Sequence, residues 1–165
     1  MHVVTSQSIR RCGEWSEPDG SVLLTYEDRF LRRKMLTTLH REDFLVDLAQ
    51  TTSLDGGDAF ELGDGRLIEV VAANEPLLAI TGDNLTRLAW HIGNRHTPCQ
   101  IEADRLLIRQ DHVIRDMLER LGARVTEVNA PFTPEGGAYG HGRTHGHDHG
   151  HDHGHDHGHA HAHGH

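Results

Sequence analysis

The last 25 residues of the chain, HGRTHGHDHGHDHGHDHGHAHAHGH, contain no apolar side chain larger than alanine. Ordering a chain costs conformational entropy that buried apolar surface has to offset, so this segment contributes no core and is expected to be disordered by itself. Whatever folds must be built from residues 1–140, a length that suits one ordinary domain or two small ones. The tail dilutes the overall hydrophobic content of 36%, and the residues ahead of it are correspondingly richer in core formers.

Those residues change pattern part-way along. Up to about residue 73 the apolar runs are short: SVLLTY (21–26), KMLTTL (34–39), DFLVDL (43–48) and RLIEVVAA (66–73). The turn-forming pairs Asp19-Gly20, Gly56-Gly57 and Asp64-Gly65 separate several of them, the punctuation of a small sheet sandwich or partial barrel. Beyond Pro76 a helical spacing enters. PLLAIT reads as a strand, after which Asp83 or Asn84 caps a helix with Leu85, Leu88, Ala89 and Ile92 on one face, stopped by Gly93. CQIEA and RLLIR read as short strands. Asp111 then caps a second helix carrying Ile114, Met117, Leu118 and Leu121 and ended by Gly122, and ARVTEV reads as a last strand. The order β-α-β-β-α-β is the ferredoxin-like signature. The expected class is therefore α+β: a β-rich domain over residues 1–73, a ferredoxin-like domain over 74–140 whose end, APFTPEGGAYG (130–140), is a connector, and a disordered His-rich tail over 141–165.

Composition excludes several functions. A formal charge of -9 argues against a protein that tracks nucleic-acid phosphates, and Arg10-Arg11 and Arg32-Arg33-Lys34 are too short to reverse that. No run of 18 apolar residues and no apolar stretch with a cleavage site at the N-terminus is present, so neither a membrane span nor a secretory signal is expected and the default compartment is the cytoplasm. Cys12 and Cys99 form no C-x-x-C pair and read as free thiols. Nothing matches H-E-x-x-H, G-x-x-x-x-G-K-[ST] or G-x-S-x-G, and the expectation is that the chain is not an enzyme.

Metal binding is the strongest compositional signal. His141, His145, His147, His149, His151, His153, His155, His157, His159, His161, His163 and His165 place twelve imidazoles in the tail. Neutral imidazole ligates Ni, Cu, Zn and Co, and a chain without preset geometry supplies two to four nitrogens to one ion. Ligation needs the neutral ring, so occupancy should fall as pH drops through about 6.5. Which metal is held does not follow, because affinity generally follows the Irving-Williams order and Cu(II) or Zn(II) would compete with Ni(II) at any such cluster. Outside the tail lie His2, His40, His91, His96 and His112. His91 and His96 flank the end of the first helix, where the helix dipole alone accounts for a histidine. His112 lies in the first turn of the second helix, where the dipole favours the neutral ring and leaves it available as a ligand. Cys99, close by, is either a soft ligand or a small core residue. A metal-dependent hydrolase using His91, His96 and Cys99 lacks a general base at any recognisable spacing.

The segment HIGNRHTPCQIEADRLLIRQDHVIRDMLERLGARVTEVNAPFTPEGGAYG, followed by a His-rich tail, resembles the C-terminal half of the UreE family of urease accessory nickel metallochaperones. Its GNRH-x-P core, the DHVIRDMLERLGA helix, the APFTPEGGAYG connector and the tail fall in the family's order. LDGGD and DGRLIEVVAANE resemble the family's first domain more loosely, and together they cover essentially the whole chain. The resemblance implies a homodimer of two-domain subunits with a partner-docking β-rich domain and a ferredoxin-like metal-binding domain. It also implies that His96 binds Ni(II) together with its copy across the dimer interface, and that His91 and His112 match auxiliary metal positions. Some members carry a histidine where this chain has Gln110, which weakens a site at His112. The implied partners are the nickel-delivering urease accessory GTPase and the complex of urease apoprotein with accessory proteins, and the tail would assist His96. The alternative is a metal storage or detoxification buffer acting through the tail.

Overall fold

The structure is a computed structural model that describes residues 3–136, and these form two sheets. His2, the end of the expected connector and the whole tail, His141 to His165 included, lie outside the described residues.

Six strands make the first sheet: β1 (Val4–Arg10), β2 (Gly20–Leu24), β3 (Phe30–Thr37), β4 (Asp43–Ser53), β5 (Ala59–Leu62) and β6 (Leu67–Ala72). They lie in the order β2-β6-β5-β1-β4-β3, with β1 parallel to β4 and β2 parallel to β6. Alternation sorts the side chains. Phe44, Val46 and Leu48 of β4 point inward with Val22, Leu24, Leu36, Phe60, Ile68 and Val70, making one core. The Leu39 N–H, just past β3, donates to the Ser21 carbonyl of β2 at 2.9 Å, so the two outer strands meet and the sheet is a partial barrel.

The second sheet carries β7 (Asn74–Thr81), β8 (Gln100–Ile101), β9 (Leu106–Arg109) and β10 (Arg124–Pro131), with helices α1 (Leu85–Asn94) and α2 (His112–Arg120) between strands. The spatial order β10-β7-β9-β8, antiparallel at every pair, is the ferredoxin-like arrangement. One sheet face, with Leu78, Ile80, Leu106 and Ile108, packs on Leu88 and Ile92 of α1 and Ile114 and Leu118 of α2. The opposite face, with Leu77, Ala79 and Leu107, packs on Phe132 and on Tyr26 from the loop after β2. Burial on both sides explains why β7 reads as the unbroken apolar run PLLAI rather than as an alternation.

The seam between the two halves is built on one cation. Arg29 is 1% exposed, and its guanidinium donates to the carbonyls of Leu24 (3.1 Å), Leu54 (3.2 Å) and Phe132. Burial pulls its pKa down from the ordinary arginine value, and the nearby Glu75 and Asp55 oppose that. Glu75 also accepts the Tyr26 N–H at 2.8 Å, and the Tyr26 ring meets Phe132 edge-on at 5.3 Å.

Two local expectations need correcting. Gly93 does not stop α1, which runs on to Asn94, and the chain reverses two residues later at His96. Residues 130–132 are not connector: Ala130 and Pro131 pair with Glu75 and Asn74 at the end of β10, and Phe132 is fully buried.

Candidate metal site

Asn84 starts α1 by accepting the Arg87 N–H on its side-chain oxygen at 3.1 Å. The helix ends in a Schellman turn. The His96 N–H donates to the Gly93 carbonyl at 2.9 Å and the Thr97 N–H reaches back to Ile92 at 3.3 Å. This geometry requires a left-handed residue at the position after the C-cap Arg95, and that residue is His96, with φ +57°. Glycine is the usual occupant because it carries no Cβ to clash. The same turn at the end of α2 uses Gly122, φ +90°, with its N–H on Glu119 and the Ala123 N–H on Leu118. At the end of α1 the chain places an exposed imidazole in a conformation that L-residues adopt at a cost.

His91 lies in the last turn of α1, half-buried, with Trp90 edge-on at 5.0 Å and Trp90 itself 62% exposed. It lines a cleft of about 450 Å³ with Arg95, Asp116, Met117 and Arg120. His112 is the first residue of α2 and exposed, behind the cap Asp111, whose carboxylate accepts the Val113 and Ile114 N–H groups at 2.9 and 3.1 Å. A separate cleft of about 310 Å³ is lined by Thr97, Pro98, Arg109, Gln110 and Asp111, between the loop that follows His96 and the start of α2. The guanidinium of Arg109 stacks 4.9 Å from the Tyr26 ring. Among the described residues no three His, Cys, Asp or Glu side chains converge as a ligand set, so His91, His96 and His112 are not gathered into one site within a chain.

Cys99 packs half-buried against the helix-side core. Desolvation, reinforced by Glu135, pushes its thiol up to about 11, so it stays protonated near neutral pH and reads as core rather than as thiolate ligand. The backbone at this point has a further role. The Cys99 carbonyl accepts the Glu135 N–H at 2.8 Å, and the Gln100 side-chain oxygen accepts the Thr133 N–H at 2.8 Å. Gln100 and Arg29 escape a sequence reading because a lone glutamine and a lone arginine carry no pattern. The signal that was available is Phe132, an aromatic set between Pro131 and Pro134.

Comparison with known proteins fits this architecture half by half. The UreE urease accessory protein N-terminal domain matches residues 3–73, and the UreE urease accessory protein C-terminal domain matches residues 75–165. The chain belongs to the UreE family. A urease accessory protein UreE from Ruegeria pomeroyi is 67% identical over 144 residues, 87% of this chain and 97% of that protein. Its counterpart from Cereibacter sphaeroides is 65% identical over 133 residues, 80% of this chain and 72% of the relative. That from Paracoccus denitrificans is 64% identical over 126 residues, 76% and 80% of the two chains. The GNRH segment, the two helices and the buried Phe132 all fall within the stretch matched to the C-terminal domain. No helix among the described residues is long and apolar enough to cross a membrane.

Proposed function

We propose that this UreE family member is a cytoplasmic nickel metallochaperone that carries Ni(II) to urease during assembly of the urease active site. The observation that carries the reading is His96: an exposed imidazole held in a left-handed turn where glycine would cost less, and among the described residues it belongs to no group of three or more His, Cys, Asp or Glu able to hold an ion. One imidazole does not hold an ion. A twofold axis through a homodimer turns one histidine into two convergent ligands, and the tail histidines complete the shell as required. Two fixed ligands suit a carrier, since a complete cage would retain its cargo. His91 and His112 serve as auxiliary ligands, and Zn(II) or Cu(II) compete in vitro.

In this reading residues 1–73 dock the partner, residues 74–140 present the ion and residues 141–165 load it. The partners are the nickel-delivering urease accessory GTPase and the complex of urease apoprotein with accessory proteins. The membership of the UreE family supports the destination, and the chemistry of imidazole supports the cargo.

The test is urease activation in a reconstituted system at limiting nickel. His96→Ala should abolish delivery while lowering total nickel capacity only slightly. A chain ending at Gly140 should lose several ions of capacity, keep about one per dimer and still deliver. An inactive truncated chain beside a fully active His96→Ala would instead make the protein a storage buffer.

A further inference from the structure

Among the described residues, every arginine that is buried or half-buried holds a hydrogen-bonding partner, with one exception. Arg11 donates to Asp58, Arg66 to Glu42 and Asp64, Arg105 to Glu102 and Arg115 to Glu119, while Arg29 holds its three carbonyls. Arg109, half-buried at the end of β9, has only the face of the Tyr26 ring, 4.9 Å from its guanidinium, and makes no hydrogen bond or ion pair with the described residues. No side-chain nitrogen or oxygen of those residues is both buried and unpartnered, so the Arg109 N–H groups open on the cleft that Arg109 lines. Two more side chains of that cleft have no partner among the described residues: the hydroxyl of Thr97, the residue after His96, and the amide of Gln110. The negative group in the wall is Asp111, whose Oδ1 accepts the Val113 and Ile114 N–H groups. It closes the start of α2 to an anion and leaves the guanidinium as the positive centre.

We propose that Arg109, Thr97 and Gln110 form a binding site for one carboxylate, filled by an acidic side chain of the protein that receives the ion. Stacking on Tyr26 fixes the plane of the guanidinium and leaves its edge free, which is the geometry of a bidentate carboxylate bond. A planar monoanion suits the cleft better than a phosphate dianion, which a single guanidinium does not neutralise beside Asp111 in a chain of net charge -9. A cleft of about 310 Å³ that opens on water holds a free carboxylate only weakly. Such a contact becomes useful when the rest of an interface brings the group in at high effective concentration. The site lies where a receiving partner must bind: Arg109 rests on Tyr26 of the first half, and Thr97 continues the His96 turn. The identity of the occupant rests on the nickel reading above, whereas the carboxylate chemistry of the cleft does not.

The chemistry is tested without metal. Glutarate titrated into the full-length chain should move the Thr97 amide, the Gln110 side-chain amide and the Arg109 Nε–H resonances along one saturable curve. Arg109→Gln should weaken that binding at least about tenfold, the worth of a charge-assisted hydrogen-bond pair, and Thr97→Val about threefold. Arg109→Lys keeps the charge without the fork and should fall between parent and Arg109→Gln. Arg87→Gln, at an exposed arginine of α1, should change nothing. Thr97→Val carries the test should Arg109→Gln fail to fold. Shifts that do not saturate, or Thr97 and Gln110 shifts that persist in a folded Arg109→Gln chain, overturn the site. Inorganic phosphate bound as tightly as glutarate overturns the carboxylate assignment, and citrate bound far more tightly overturns the docking role by making the occupant a small molecule. The partner is tested by urease activation at limiting nickel: Arg109→Gln should need about tenfold more chain for half-maximal activation, with nickel binding unchanged. Unaltered activation beside a saturable glutarate site overturns the docking role. A fully active His96→Ala would overturn the nickel reading and leave the carboxylate site standing.

Discussion

Replacing His96 by glycine should make the protein more stable and less useful. The residue sits at φ +57° in the turn after α1, where an L-residue pays about 1–2 kcal/mol that glycine does not. Glycine surrenders about 0.5–1 kcal/mol of that through the greater freedom of its unfolded chain. The His96 side chain is exposed, so little buried surface is lost with it. The net expectation for His96→Gly is a gain of about 0.5–1 kcal/mol, a rise of about 1–4 °C in Tm for a chain of this size. His96→Ala keeps the Cβ and therefore the strain, and should melt at or slightly below the parent temperature. Thermal unfolding followed by circular dichroism in excess chelator reads the three proteins without metal linkage. The expected order is Gly above His, with Ala last. If the glycine and alanine variants melt together, the turn stores no strain and the argument that His96 is retained for its imidazole loses its physical basis.

Three further outcomes follow from the described contacts. Arg29→Met takes the guanidinium from the buried carbonyls of Leu24, Leu54 and Phe132, of which that of Leu24 keeps the Ala73 N–H, and this should cost about 3 kcal/mol and split a single calorimetric transition into two as the halves uncouple; one unshifted transition would refute the seam. Nickel should be retained near pH 7.5 and largely lost by about pH 5 in equilibrium dialysis, because each ligating imidazole must be neutral and its ordinary pKa is about 6.5; equal retention would point to carboxylate ligands. The Cys99 thiol, pushed up to about 11 against 9.0 when unfolded, stays protonated in the fold while the unfolded chain ionises, so its contribution to stability is complete below pH 9.0 and is lost as pH rises toward 11. Its alkylation at pH 8 should accordingly be at least tenfold slower than that of a free cysteine, and equal rates would contradict its burial.

Most elements were legible from apolar spacing and caps. Asp111 and Gly122 bound α2 as their residue types require, the runs at 43–48 and 76–81 fall on strands, and those at 34–39 and 66–73 overlap them, running past their ends by one or two residues. The strands that were not legible are β1, VTSQSIR, and β5, AFEL. β1 sits between β4 and β5, held by pairing on both sides, yet its only fully buried side chain is Ser6, whose hydroxyl donates to the Ser8 carbonyl at 3.1 Å. A strand defined by its backbone partners leaves no hydrophobic alternation to read. β5 is four residues long and follows a turn ordered by Asp58, whose carboxylate accepts the Cys12 N–H at 2.9 Å and the Asp55 N–H at 2.8 Å, a partner 46 positions away being one that no local window sees. The histidines themselves were all visible as residues. What the sequence could not reveal is that His96 is left-handed, because a helix stop at Gly93 satisfies the same pattern; Phe132 was the available sign of core beyond β10, outweighed by Pro131 and Pro134 on either side of it.

A single residue, Ala73, separates β6 from β7, and even its N–H is taken by the Leu24 carbonyl at 2.9 Å. The molecule therefore resembles a ruler with no telescoping section. If a partner grips the first sheet, as proposed above, it meets the His96 turn at one fixed offset. Lengthening the Ala73 junction by a few residues would leave each half with its own core and every histidine intact, yet would move the His96 turn relative to the first sheet. On the nickel reading proposed above, metal capacity and delivery would then come apart without a single histidine having been touched.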